Sequence, residues 1–279
     1  MKRVGVVGAG TMGHGIAQVS AMAGYEVVLT DADPDGLAHG IKHIATNLNK
    51  GIDRGKVTQQ QRDNALERLH AGQLGDVAAC DLIIEAVPES HELKVKIFSE
   101  IAQTASPNAI FATNTSSLSV GAIAAKLPNP QRVIGTHFFN PVHIMALLEV
   151  IVPETTSADV LGAIQVYGDA IGKDVIVVKD APGFATSRLG VCLGMEAIRM
   201  VEQGVASPED IDKAMVLGYR HPIGPLRLSD LVGLDVRMHI GDYLSRALNN
   251  PAFEPPALMR QMVEDGKLGK KSGQGFYHW

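Results

Sequence analysis

Cysteine is scarce in this chain. Only Cys80 and Cys192 occur among 279 residues, each in an apolar context, with no CxxC pair and no Cys/His ladder. That excludes a disulfide scaffold and a zinc-ribbon type of metal site, and both thiols are expected to be reduced core residues of a cytosolic protein. An excess of positive charge is also missing. Lys and Arg total 25 against 30 Asp and Glu, a net charge of −5, which argues against a general affinity for nucleic acid or an anionic membrane. No apolar run approaches the roughly 20 residues of a membrane span. The opening MKRVGVVGAG enters a strand at once, and Val4–Val7 is too short for the apolar region of a signal peptide. There is no internal repeat and no low-complexity tract. What is present is a composition of 46% hydrophobic and 20% charged residues, typical of a globular chain long enough for one large domain or two ordinary ones.

The N-terminal two-thirds alternate short β-rich runs with amphipathic stretches. Strands are expected at Arg3–Val7, Glu26–Thr30, Leu82–Glu85, Ile110–Thr113, Val133–His137, Ala146–Val150 and Val175–Val178, with helices such as Glu92–Thr104 and Ala158–Ile171. This is an α/β pattern, a Rossmann-type fold with a mostly parallel sheet. The polar, helix-like stretch 35–69 has a turn near Gly51–Gly55 and reads as a helical hairpin inserted in the sheet domain and projecting from it. At DAPGF (Asp180–Phe184) the pattern changes. Beyond it the chain reads as an all-α domain, with Ser207-Pro208-Glu209-Asp210 a helix start: serine cap, proline in the first position, acids in the first turn. The expected domains are 1–181 and 182–279. A helical domain with so much apolar sequence is expected to bury part of it in a homodimer.

GAGTMG (Gly8–Gly13) directly follows the first strand and opens a helix. Gly8 permits the tight turn, Gly10 lets the backbone approach a pyrophosphate, and Gly13 lets helix and strand pack closely. The helix start, with Thr11 and Met12, then offers N–H groups and a positive dipole end to phosphate. Asp31 ends the second strand where the acid of a dinucleotide fingerprint belongs. A carboxylate there can bind both ribose hydroxyls and repels a 2′-phosphate, so NAD is expected over NADP. Asp33 reads as a helix cap. In EAVPESHELK, Glu85–Val87 close a strand at the ligand-binding edge; Glu89 and Lys94 either reach the cofactor or form a solvated helix start.

THFFNPVHIMALLEV (residues 136–150) holds two histidines, His137 and His143, and one carboxylate, Glu149, within an otherwise apolar run. A buried carboxylate without a partner costs on the order of several kcal/mol or shifts its pKa strongly. An imidazole N–H is a natural partner. If neighbouring strands bring Glu149 to His137, the carboxylate fixes the tautomer and the ring becomes a candidate base.

These motifs, together with GAGTMGHGIA, TNTSSLS (Thr113–Ser119), DAPGF, EDIDKAM, HPIGPLRLSDLVGLD and GKKSGQGFY, closely resemble the L-3-hydroxyacyl-CoA dehydrogenases, nearly end to end. The resemblance implies an NAD-dependent dehydrogenase of an acyl-CoA, with short chains such as 3-hydroxybutyryl-CoA expected. It places the catalytic histidine on His137, its carboxylate partner on Glu149, and the substrate-binding serine on Ser116. Asn140 matches an asparagine of the family's HFFNP motif. Gly8, Gly10, Gly13 and Asp31 match the cofactor turn and ribose acid, Glu89 and Lys94 match NAD contacts, and Asn114 joins them as a cofactor-binding position. In the implied mechanism His137 takes the proton of the 3-hydroxyl while C3 passes a hydride to the nicotinamide, and Ser116 supports the charge on oxygen.

One departure is Ser187, in PGFATSR, where many members carry asparagine; serine has a shorter arm and one donor, so Ser187 is a candidate substrate residue, with a bound water or another side chain standing in for the amide. The family also uses hairpin residues for CoA, and Lys50 and Arg54 (with Lys56 beside them) are candidates. Two other readings compete: a dehydrogenase of a free hydroxy or sugar acid, like the L-gulonate 3-dehydrogenase branch related to a lens crystallin, and a non-catalytic NAD-binding structural protein.

Overall fold

The computed structural model describes residues 1–279. Contacts divide the chain into two compact units, Met1–Asp180 and Ala181–Trp279. In chain order the first unit comprises β1 (Arg3–Val7), α1 (Gly13–Met22), β2 (Glu26–Thr30), α2 (Pro34–Asp53), α3 (Gln59–Glu67), β3 (Leu69–Ala71), α4 (Leu74–Ala78) and β4 (Leu82–Glu85). It continues with α5 (His91–Ala102), β5 (Ile110–Thr113), α6 (Val120–Ala124), β6 (Val133–Phe138), β7 (Leu147–Val152), α7 (Ala158–Ala170) and β8 (Asp174–Lys179).

The eight strands form one sheet in the order β3-β2-β1-β4-β5-β6-β7-β8. The pairings from β3 to β6 are parallel, β7 runs antiparallel to β6, and β8 runs parallel to β7. Central strands of a sheet covered on both faces must be apolar throughout, and β4 and β5 are buried at every position. The strand order reverses between β1 and β4. At such a switch point the loops leaving the carboxyl ends of the two strands diverge and open a crevice for ligand.

Two details differ from the sequence reading. The stretch read as the end of the hairpin contains β3, whose Leu69 pairs with Val27. Three residues, Leu-His-Ala, carry too short a pattern to register as a strand. The hairpin also does not simply project. Ile44 and Leu48 of α2 and Ala65 of α3 are buried in the main core, and a Cβ on Gly40 would lie 2.6 Å from the Ala9 carbonyl oxygen. Its apolar stripe packs on the sheet domain, which is what an amphipathic helix requires. Its polar face, with Lys42, Thr46 and Lys50, and the turn, with Arg54, Gly55 and Lys56, are exposed. Asp33 does cap α2, accepting from the Asp35 N–H at 3.1 Å, and Thr58 and Gln61 form a reciprocal capping box on α3.

The second unit is helical: α8 (Thr186–Glu202), α9 (Pro208–Gly218), α10 (Pro225–Val232), α11 (Leu234–Leu248) and α12 (Ala257–Glu264). Val191, Met195, Ile198, Leu226, Leu234, Leu244 and Met259 belong to its core. Ser207 caps α9 by accepting from the Asp210 N–H at 3.1 Å. Several recognisable motifs of this half serve packing. Asp212 accepts from the Leu226 and Arg227 N–H groups, both at 2.8 Å, and so caps α10 from α9. Asp230 accepts from the Phe276 and Tyr277 N–H groups and from the Trp279 indole, tying the terminal GQGFYHW to α10.

Candidate active site

The glycine turn is held in shape by its own backbone. The Gly8 N–H donates to the Thr30 carbonyl at 2.8 Å, and Gly8 has φ +98°, a conformation that L side chains rarely adopt. A Cβ on Gly13 would fall 1.7 Å from the Gly8 carbonyl oxygen. Gly13 is therefore a packing requirement between turn and helix. Gly10 is different: a Cβ there meets no protein atom within 4 Å. The open space over Gly10, at the start of a helix with no side-chain cap, suits a pyrophosphate lying on the turn. Thr11 is exposed, whereas Met12 is partly buried and packs against the core, so a ligand would meet Met12 through its backbone. Asp31 accepts from the Ala9 N–H at 2.7 Å with one carboxylate oxygen and from the Asp33 N–H at 3.0 Å with the other. The acid at the ribose position of the dinucleotide fingerprint is thus oriented by the turn beside it, and the residues present fit a dinucleotide. Asp31→Ala is expected to weaken NADH binding about tenfold, roughly 1.4 kcal/mol, with a smaller change for NADPH. A fluorescence titration with both nucleotides checks this.

Beside the turn, at the carboxyl ends of β4 and β5, lies a buried charge cluster. The Lys94 ammonium donates to Glu85 at 2.7 and 3.0 Å and lies 3.3 Å from Glu89. Glu85 also accepts from the Thr113 hydroxyl and the Val87 N–H, each at 2.7 Å. Glu89 accepts from the Thr115 hydroxyl at 2.5 Å, the Ser116 N–H at 2.9 Å and the Ser116 hydroxyl at 3.2 Å. Burial raises the Glu85 carboxyl against the opposing pull of Lys94, Thr113 and Val87. Burial pushes Glu89 upward too, but Lys94, Thr115 and Ser116 outweigh it and hold that carboxyl below the ordinary glutamate range.

Lys94 is not part of a solvated helix start. Its side chain has no exposed surface and meets two carboxylates, and the exposed member of the cluster is Glu89. The reason is the neighbouring Glu85. It is an acid at the end of an apolar strand, LIIE, the same signal that marked Glu149; the sequence places it at the ligand-binding edge but does not reveal its pairing with Lys94.

His137 and Glu149 come together through the sheet. They are directly opposed in the antiparallel β6–β7 ladder, and opposed residues project to the same face. The imidazole Nδ1 lies 2.9 Å from a Glu149 carboxylate oxygen. Glu149 is fully buried and His137 is 8% exposed, so the pair is almost free of solvent screening while the ring keeps an opening. The His137 ring also sits 4.4 Å, centroid to centroid, from Phe139. Asn114, at the end of β5, accepts from the Phe138 N–H at 2.9 Å and ties the neighbouring strand end to this one. Because β7 runs opposite to β6, its beginning lies at the edge where β4, β5 and β6 finish. The acid near the start of one strand therefore serves the histidine near the end of the other.

The remaining candidates lie as follows. Ser116 is half-buried beside Glu89, and Asn140 is exposed just past Phe139. Ser187 is half-buried in the first turn of α8, within the helical unit. Lys50 and Arg54 line a cavity of about 740 Å³ together with Asn47, Lys56, His143 and Lys173. Of these, Asn47, His143 and Lys173 escaped the sequence reading as ligand-facing residues. They come from three distant segments, and no local pattern joins them.

An open α/β sheet with a glycine-rich turn at its switch point, and a carboxylate-backed histidine at the same edge, defines a nicotinamide-dinucleotide dehydrogenase. The sequence matches the family profile of the 3-hydroxyacyl-CoA dehydrogenase NAD-binding domain over residues 3–181 and that of the C-terminal domain over residues 183–279. The chain belongs to the 3-hydroxyacyl-CoA dehydrogenase family, and NAD is its cofactor. It is 44% identical over 280 residues to a 3-hydroxybutyryl-CoA dehydrogenase of Mycobacterium tuberculosis, covering 99% of this chain and 98% of that one. A 3-hydroxybutyryl-CoA dehydrogenase of Bradyrhizobium diazoefficiens is 41% identical over 280 residues, covering 100% and 96%. Among solved structures, the (S)-3-hydroxybutyryl-CoA dehydrogenase of Ralstonia eutropha superposes with a TM-score of 0.97 at 41% identity, covering 100% of this chain and 99% of that one.

Proposed function

We propose that this enzyme interconverts (S)-3-hydroxyacyl-CoA and 3-ketoacyl-CoA, with 3-hydroxybutyryl-CoA as the preferred chain length and His137 as the general base. The observation that carries the reading is the buried His137–Glu149 pair. NAD, when bound, supplies the acceptor for the hydride leaving C3. The chain's own work is to hold the proton. His137 accepts it from the 3-hydroxyl, and the imidazolium so formed is stabilised by the Glu149 carboxylate at its Nδ1 side. Ser116, held by Glu89 through its backbone N–H, turns its hydroxyl proton from Glu89 to the substrate oxygen when substrate binds. In the reverse direction His137 returns the proton to the 3-keto oxygen. Asn140 and Ser187 stand as further candidate substrate contacts.

The cavity under the hairpin supports the CoA handle. Its lining includes Lys50, Arg54, Lys56 and Lys173 and no Asp or Glu. In a chain of net charge −5, a cation-only cavity of this size is selective for a polyanion. The short-chain preference rests on the relatives named above. A homodimer through the helical unit is supported by Leu189, Leu217 and Tyr219, which are 72%, 69% and 76% exposed; sedimentation analysis tests it. No helix is long and apolar enough to cross a membrane. A cytoplasmic setting is consistent with two free cysteines.

The test is a kcat/KM series with 3-ketoacyl-CoAs of increasing length, run with NADH and NADPH, beside oxidation of free L-gulonate with NAD. Activity is expected to be highest with acetoacetyl-CoA and NADH. Turnover of L-gulonate without turnover of any thioester would overturn the reading.

A further inference from the structure

We propose that His143, two residues beyond the HFFNP segment, is a binding residue for the phosphate end of the CoA carrier and takes up a proton when that end enters the cavity. This rests on the thioester reading above and extends it to a residue outside the catalytic pair. His143 follows the Asn140-Pro141 turn, is largely exposed, and lines the cavity. The loop that carries it is fixed from below. The Lys173 ammonium donates to the Val142 carbonyl at 2.5 Å and the Met145 carbonyl at 2.7 Å, the two residues that bracket His143 and Ile144. A side chain on a pinned loop facing a ligand cavity is a positioned contact.

The groups that face His143 come from each element around the cavity. α1 contributes His14, itself in edge-to-face contact with His43 of α2 at 5.4 Å between ring centroids. The end of α2 contributes Arg54, and the segment before β8 contributes Lys173. Lys50 and Lys56 complete the cationic lining, and Gln18 and Asn47 are its neutral polar members. No carboxylate stands among them. Burial, followed by His14, Lys173 and Arg54, pushes the His143 imidazole below its ordinary value, which favours the uncharged ring in the free protein. A polyanion in the cavity reverses the balance, since a nearby opposite charge favours the protonated ring. The sign follows. The pKa in the complex lies above that of the free protein, so binding takes up protons between the two values, and affinity falls as pH rises through that interval.

The experiment is titration calorimetry of the full chain with CoA and with 3′-dephospho-CoA near pH 6.5, in two buffers of different ionisation enthalpy. The dephospho form matters because a phosphate monoester itself titrates near pH 6. The wild-type protein is expected to take up more protons than His143→Gln with at least one of the two ligands, and to lose up to about tenfold in affinity between pH 6 and pH 8. His143→Arg, permanently charged, is expected to bind at pH 8 about as tightly as the wild type at pH 6. Equal proton uptake by wild type and His143→Gln would put the proton elsewhere, on His14 for instance, and overturn the inference while leaving the thioester reading intact. Failure of both proteins to bind CoA would overturn both.

Discussion

His137→Gln is expected to lower kcat by roughly a hundredfold or more, the usual scale for losing a general base, while NADH binding stays unchanged. Glutamine can still hydrogen-bond to Glu149, so the sheet and the buried carboxylate keep a partner. What is lost is the capacity to accept a proton from the substrate hydroxyl. The separation of effects follows from geometry. His137 belongs to β6 and is linked to β7, whereas the dinucleotide turn is held by Gly8, Ala9 and Asp31 through bonds that do not involve β6. Steady-state kinetics with acetoacetyl-CoA, beside a fluorescence titration with NADH, checks the prediction. Near-normal turnover in the variant would remove His137 from the role.

Lys94→Met is expected to cost about 3–5 kcal/mol of folding stability at pH 7.5, the range found when one partner of a buried ion pair is removed. The lysine is the cation paired with Glu85 and Glu89, and Glu85 is fully buried. Without the ammonium, the fully buried Glu85 carboxylate loses its cation, with the Glu89 carboxylate close by. Their remaining donors, Thr113, Thr115, Ser116 and the Val87 N–H, are neutral. The variant's pH dependence carries a sign that ordinary loss of packing does not. In the native protein Glu89 is held low, so its contribution is present above the unfolded pKa and is lost as pH falls through the folded one. In the variant both carboxyls move up, and stability falls as pH rises through their folded values. The deficit relative to wild type should therefore shrink on acidification toward pH 5. Urea unfolding at pH 7.5 and pH 5 measures this, and an equal deficit at the two values would show that lost packing, not charge, explains the cost. Because Glu89 also accepts from Ser116, the variant should disturb that proposed substrate contact as well.

Much of this architecture is legible in the order of residues, because the signals involved are local. Glycine at positions 8, 10 and 13 after a β-rich run announces a strand–turn–helix, since steric limits on φ and close approach act over a few bonds. Asp33, Thr58 and Ser207 announce helix starts for the same reason: a cap reaches only two or three residues along the chain. Glu149 in an apolar strand signals a buried carboxylate that needs a partner. Its family resemblance points to His137, again from a continuous motif.

Three features were decided only by the tertiary structure, and each depends on which distant segments meet. The first is the reversal of β7 against β6, which sets position 149 opposite 137; strand direction depends on sheet pairing, not on strand composition. The second is the burial of Lys94 between Glu85 and Glu89, where the order of residues allowed either a cofactor contact or a solvated helix start. The third is the cavity that gathers Arg54, His143 and Lys173 from the hairpin, a loop and a strand approach. Periodicity and capping act within one turn of helix or one strand, whereas burial and charge pairing act through space, and only the folded chain specifies that space.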